Sequence, residues 1–164
     1  TAGSCLNQLL AEHQPQLVIA TGLGPGRSDI SIERVAINLI DARIPDNLGA
    51  QPVDTAVTPE GPAAYFSTLP VKAMVRAVRE AGIAASVSQT AGTFVCNQVF
   101  YRLQHALVGS GVRSGFIHVP YLPGQAAEPQ PSMALATTVE GLRIAVLAAW
   151  NTARDIAESG GQVC

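Results

Sequence analysis

Apolar residues recur along this chain in two rhythms, one of period near 3.6 and one of short unbroken runs. Leu6, Leu9 and Leu10 fall on one side of a helix expected over about residues 2–12. The run QLVIAT at residues 16–21 breaks at Gly22, as a buried strand should. Residues 33–41 (ERVAINLID) alternate in part and lead to a Pro-Asp-Asn turn at 45–47, so Glu33 is expected to open a strand. Residues 51–62 are rich in Pro, Gly and Thr and read as a long loop. A helix is expected over about 70–81, with Gly82 at the C′ position, and a strand over 83–88. Thr93 is then expected to cap a helix reaching about residue 108. The run SGFIHV at 114–119 is another strand, closed by Pro120, and 123–131 is a Pro/Gly/Gln loop. A last long helix is expected over about 132–158.

Strand–helix alternation of this kind predicts an α/β fold: a three-layer α/β/α sandwich around a mixed, largely parallel sheet. With 164 residues the chain suits one domain, and a domain of that size buries roughly 70% of its unfolded surface without needing staples. A hydrophobic share of 48% against 13% charged residues fits a well-buried protein. A formal net charge of −2 gives no basic footprint, which argues against nucleic acid as a partner. The longest apolar stretches, such as residues 144–150, fall well short of the roughly 18 residues a membrane helix needs. No basic segment followed by an apolar one is visible at the start, so a secretory signal is not expected. Three widely spaced cysteines form no C-x-x-C pair, and free thiols in a reducing cytoplasm are the expectation. Cys5 and Cys164 receive no role.

Gly22, Gly24 and Gly26 follow a strand and invite a nucleotide-loop reading. The spacing is not G-x-G-x-x-G, no Gly-Lys-Ser/Thr follows, and the next segment (ISIERVAI) looks extended. A phosphate loop needs a helix N-terminus behind it. The plainer expectation is a loop whose glycines permit tight turning beside a pocket.

Cys96 stands between a strand and a helix, in the first helical turn. Unpaired backbone N–H groups and the positive end of the helix dipole there favour thiolate over thiol, which is the nucleophilic form. A buried free cysteine is more often a small hydrophobe, so the chemistry needs a base. Of three histidines, His13 and His105 sit in amphipathic helices and suit surface or packing roles. His118 ends the strand GFIHV, and carboxyl ends of strands in α/β sheets are where side chains reach a crevice. It could act as general acid and base. A third group should orient the imidazole. Glu33 and Asp46 are both chemically suitable, and local reasoning does not choose between them.

Three blocks together are recognisable: ERVAINLIDARIPDN (residues 33–47), SQTAGTFVCNQVFY (88–101) and GFIHVPYLPGQ (115–125). They closely resemble the signature blocks of the pyroglutamyl peptidase I (pyrrolidone carboxyl peptidase) family. Their order and spacing fit as well, with 63 positions from Glu33 to Cys96 and 22 from Cys96 to His118. The resemblance implies a cofactor-free and metal-free cysteine omega-peptidase of α/β/α fold, cytoplasmic and homotetrameric. Its substrates would be peptides or proteins with N-terminal pyroglutamate. Cys96 is then the nucleophile, His118 the general acid/base and Glu33 the orienting carboxylate. Asp46 matches a supporting carboxylate, and Arg43 an arginine near the developing oxyanion. Ile44, Phe94 and Val95 match apolar residues lining the pyroglutamyl pocket. Residues 1–164 are expected to form a single peptidase domain lacking the family's N-terminal strand and aromatic pocket loop. Leu23 stands where the family often has a glutamine.

Two other readings compete. A catalytically silent α/β binding or assembly module would keep the triad residues without pocket walls. A nucleoside-phosphorylase-like enzyme would bind phosphate near residues 22–27.

Overall fold

The order of elements in the computed structural model, which describes residues 2–161, is α1 (Ala2–His13), β1 (Leu17–Leu23), β2 (Ile30–Glu33), β3 (Val35–Ile37), β4 (Ala64–Phe66), α2 (Val71–Glu80), β5 (Ala85–Ser88), α3 (Val95–Ala106), β6 (Arg113–Val119) and α4 (Leu135–Asn151). The α/β class expected from the alternation is borne out, with a mixed sheet in the order β1-β6-β2-β5 and a separate β3–β4 pair. Cys164 lies outside the described residues. No described helix is long and apolar enough to cross a membrane. The chain divides into two compact units, the first comprising residues 1–20, 34–68 and 89–115, the second 21–33, 69–88 and 116–164.

The second unit is built around β2. All four of its residues are buried, because it lies between β5, parallel to it, and β6, antiparallel to it. Strand residues alternate between faces, so Ile30 and Ile32 share one face while Ser31 and Glu33 share the other. The isoleucine face meets helices. A Cβ added at Gly141 of α4 would lie 2.2 Å from Ile30 Cδ1, so only glycine lets α4 approach β2 this closely. Helix α2 buries Val71, Ala73, Met74, Val75 and Val78, each apolar side chain larger than alanine contributing about 1.5–3 kcal/mol when fully covered. Gly82 stands at φ +76° just past α2, the left-handed position expected of it.

The last helix is shorter than expected, ending at Asn151 rather than near 158. Pro70 precedes α2 and offers no side-chain cap, leaving the Lys72 and Ala73 amides of its first turn without a side-chain acceptor of their own segment. The chain beyond α4 supplies one: the Asp155 carboxylate accepts from the Lys72 amide at 3.0 Å and the Ala73 amide at 2.9 Å. Arg76 pairs with Glu158 at 2.6 Å. Asp155 and Glu158 are therefore drawn back onto α2 instead of continuing a helix.

In the first unit, α1 and α3 pack together and α3 packs on the β3–β4 pair. The segment expected as one strand over 33–41 is two: Glu33 closes β2 instead of opening a strand, and β3 begins after Arg34 with a new partner, β4. Strand β4, three residues long, is too short to leave a periodic signal. The 51–62 loop is organised by Asn38, whose Nδ2 donates to the carbonyls of Thr58 and Gly61 and whose Oδ1 accepts from the Thr58 amide. Tyr101 is fully buried and donates its hydroxyl to the Pro62 carbonyl at 2.6 Å. Burial raises the Tyr101 pKa, with a smaller contribution from Tyr65.

Candidate active site

Ladder register brings Glu33 and His118 together in the second unit. Ser31 pairs directly with His118 across β2 and β6. Glu33, two residues further along β2, is therefore a diagonal neighbour of His118 on the same face. The His118 Nδ1 and Glu33 Oε1 atoms are 2.7 Å apart. An ionised carboxylate has no proton to give, so Nδ1–H is the donor and Nε2 is left with a lone pair in the neutral ring. Glu33 is 0% exposed and His118 4% exposed. The Phe116 ring covers the imidazole at a centroid distance of 4.9 Å.

A guanidinium shares the same carboxylate oxygen. Arg27 Nη2 lies 2.9 Å from Glu33 Oε1, whereas Glu33 Oε2 has no hydrogen-bond partner among the described residues. Taking a carboxylate fully out of water costs several kcal/mol, and such an ion persists only where cations and hydrogen bonds compensate it. Arg27 is the residue that reading the sequence did not single out. Its one advance signal is its place directly after Gly-Pro-Gly, a turn sequence.

In the first unit, Cys96 is the second residue of α3, is partly exposed, and is a free thiol. The expected cap is corrected here. Phe94, not Thr93, occupies the N-cap position, with no side-chain bond to the first turn. The Thr93 hydroxyl instead donates to the Asp41 carbonyl at 2.9 Å, and the Asp41 amide donates to the Thr93 carbonyl at 2.9 Å. The first-turn amides around Cys96 are thus left without a side-chain acceptor, which favours an anion there. Asn97, 1% exposed, fixes this end of α3. Its Nδ2 donates to the carbonyls of Ile37 and Leu39, and its Oδ1 accepts from the Ile37 amide, so one side chain satisfies three backbone groups of the β3 exit.

Ile44, Asp46, Phe94 and Val95 come together around a cavity of about 550 Å³ in this unit, within the size range of small-molecule sites. Asp46 Oδ1 accepts from the amides of Leu48 and Ala50, so that oxygen organises the 46–50 turn. Arg43 is exposed in the same stretch, and Ile44 is exposed as well. His13 ends α1 in the open, while His105 Nδ1 bonds the Tyr65 hydroxyl at 2.8 Å and its ring stacks against Tyr101. The glycine-rich segment is followed by a strand, not a helix, so it lacks the N-terminus a phosphate loop requires. No group of three or more His, Cys, Asp or Glu side chains placed to hold a metal ion occurs among the described residues.

Known proteins share this pattern at length. A family model described as pyroglutamyl peptidase matches residues 1–152. A pyrrolidone-carboxylate peptidase from Pseudomonas fluorescens is 74% identical over 164 residues, covering 99% of this chain and 77% of the relative. One from Cupriavidus taiwanensis is 60% identical over 163 residues, covering 96% and 76%. The crystal structure of pyroglutamyl peptidase I from Bacillus amyloliquefaciens superposes with a TM-score of 0.93 at 43% identity, covering 96% of this chain and 76% of that one. The pyrrolidone carboxyl peptidase of Thermococcus litoralis gives 0.92 at 38% identity, covering 96% and 77%. On residues, fold and extent of match together, the chain belongs to the pyroglutamyl peptidase family.

Proposed function

We propose that this chain hydrolyses the amide bond after an N-terminal pyroglutamyl residue, with Cys96 as nucleophile, His118 as general acid/base and Glu33 as orienting carboxylate. One observation carries the assignment of roles: the buried 2.7 Å hydrogen bond between His118 and Glu33. Such a bond fixes the imidazole tautomer and stabilises its charged form.

Thiolate Cys96 attacks the carbonyl carbon joining pyroglutamate to the next residue. The carbonyl oxygen becomes an oxyanion held by the Cys96 backbone N–H, with Arg43 assisting. Losing one donor of this kind typically costs about 2.7–4 kcal/mol. The imidazolium of His118 protonates the departing amine, the C–N bond breaks, and a thioester remains. Neutral His118 then takes a proton from water, whose oxygen attacks the thioester. Collapse releases pyroglutamate and regenerates the sulfur. Ile44, Phe94 and Val95 offer an apolar wall to a neutral lactam. An ordinary N-terminal ammonium would lose its hydration there without a partner, which explains selectivity. Asp46 supports the site by holding the turn beside Ile44.

Residues 1–164 act as one peptidase domain in this reading. A cytoplasmic homotetramer is part of the same proposal, and α4 supports self-association by leaving Leu135, Val139, Val146 and Trp150 exposed along one stripe. Nothing favours the silent alternative. The test is release of a fluorescent amine from a pyroglutamyl-amide substrate by the chain and by Cys96→Ser. Cleavage by the parent alone is expected; a folded, reduced parent that releases no amine would overturn the reading.

A further inference from the structure

The Glu33 carboxylate faces a difficulty that His118 alone does not resolve. Through the proposed cycle the imidazole alternates between a cation and a neutral ring. Whenever it is neutral, a fully buried carboxylate would be left with no positive partner on that side, an arrangement costing several kcal/mol.

Building on the peptidase reading above, we propose that Arg27 is a positioning residue for the reaction: a permanent counter-charge that faces the buried Glu33 carboxylate whether or not His118 carries a proton. A guanidinium cannot be deprotonated in a protein, and Arg27 Nη2 stands 2.9 Å from the oxygen that accepts from His118.

The local backbone is built to deliver it. Residues 24–27 read Gly-Pro-Gly-Arg, and the Arg27 amide donates to the Gly24 carbonyl at 3.1 Å. Proline fixes the second position near φ −65°, and Gly26 stands third at φ +79°. This is the type II turn, in which the third residue must adopt a positive φ. The turn is anchored beside the histidine, because the Gly24 amide donates to the Val119 carbonyl at 2.9 Å. Gly24 itself is required for space rather than for its φ. A Cβ there would lie 2.7 Å from Arg27 Cδ and 3.0 Å from Nε, mid-chain atoms of a side chain whose far end is tied to Glu33. Thus the glycine-rich segment serves the carboxylate by letting an arginine lie flat across it.

Asp29 is a further charged group of this unit, and it accepts at 2.7 Å from the hydroxyl of Ser31, the residue paired with His118. Cys96 is its partner in the proposed chemistry. Replacing Arg27 by a neutral residue leaves the Glu33 charge acting on the imidazole uncompensated. The imidazolium is then favoured, and His118 should release its proton at higher pH.

The experiment compares the parent with Arg27→Met, Arg27→Lys and Gly24→Ala. It reads kcat and KM on a pyroglutamyl-amide substrate, thermal midpoint, and the His118 titration by long-range ¹H–¹⁵N NMR. Arg27→Met should lower kcat by about ten- to a hundredfold, by analogy with the loss of a partner behind a metal-bound histidine, with KM within about twofold. Its His118 titration should move upward by about one pH unit. Arg27→Lys should recover most of kcat. Gly24→Ala should lower kcat in the same sense without removing a charge, and it carries the test if Arg27→Met does not fold. Parent-like kcat and an unmoved titration in Arg27→Met would overturn the proposal, as would a loss that Arg27→Lys fails to rescue. If the parent itself releases no amine, the peptidase reading fails, while the titration still decides whether Arg27 governs the pair.

Discussion

The Glu33–His118 cluster and the Cys96 segment place reactive groups by opposite means. Glu33 and His118 are strand residues, buried, and fixed relative to one another by the register of β2 against β6. Shifting that register by one residue would turn one of them to the other face. Cys96 sits in the first turn of a helix, in a unit where loops and backbone–side-chain bonds set positions. Asn97 ties that turn to the β3 exit, Thr93 ties the preceding loop to Asp41, and Asp46 closes its own turn. The difference follows from what each group must do. A charge pair gains from a dry, rigid environment, where electrostatic interactions are strong. The proposed nucleophile and the walls of the proposed pocket must be reachable, and reachable residues sit where the chain leaves its regular elements.

The sharpest break in this contrast is Glu33→Gln. It preserves shape but replaces an acceptor-only carboxylate with an amide whose NH2 can face the imidazole and favour the other tautomer, and it leaves Arg27 facing a neutral group. A fall in kcat of about a hundred- to ten-thousandfold is expected, the upper end being what the corresponding carboxamide change costs in a serine-type triad. Steady-state kinetics on the pyroglutamyl amide, with circular dichroism to confirm folding, measures it. A fall below tenfold would mean that the strand pair does not control the chemistry.

On the other side of the comparison, Asn97→Ala removes the acceptor of the Ile37 amide and the donor to two carbonyls at a buried position. Each group left unpaired in a buried site costs about 1–3 kcal/mol, so stability should drop by about 2–4 kcal/mol once the exposed carbonyls find water. Urea denaturation reads this. Alkylation of Cys96 in the native variant should also become less uniform as the helix terminus loosens. Unchanged stability would show that the cysteine segment does not depend on this one side chain.

The smallest effect lies outside both regions, on the surface of α4, and serves as a control. A hydrogen bond from Arg143 lowers the Glu140 pKa below its ordinary value. A depressed carboxylate stabilises the fold above its unfolded pKa, and this is lost as pH falls through the folded value. Glu140→Gln should therefore destabilise the protein slightly near neutral pH and not at all at a pH low enough to protonate the carboxylate in both states. Thermal midpoints measured at both pH values check the sign.

Much of the layout was legible because strong local rules agreed with the fold. Helix α2 and Gly82 fell where apolar periodicity and the left-handed C′ position put them. Cys96 did occupy a first helical turn, since a strand ending in Ser88 and a short loop left the next helix little freedom of start. The misplaced features were those set by distant partners. Thr93 looked like a cap, yet its hydroxyl found Asp41, 52 residues away in the chain. The chain after Asn151 continued a helical pattern, yet Asp155 met the unsatisfied amides of α2, more than 80 residues away. Nothing local in the sequence marks Asn38 or Asn97, because nothing local shows that a side chain will be buried against backbone from another segment.

Sequence by itself determined the chemical inventory and its spacing: a cysteine at a helix start, a histidine near a strand end, two candidate carboxylates, and the three blocks that resemble one family. Local reasoning left the choice of carboxylate open and the resemblance pointed to Glu33; tertiary structure alone showed the geometry by which Glu33 meets the histidine. The strand register that makes Glu33 the diagonal neighbour of His118 is a pairing across 85 positions, and Asp46 is drawn instead into its own turn. Structure alone also showed that a Gly-Pro-Gly turn lays Arg27 on the same carboxylate. The physical reason is common to both. Local sequence fixes which backbone conformations are favourable, whereas a buried charge is tolerable only beside partners that long-range folding brings to it.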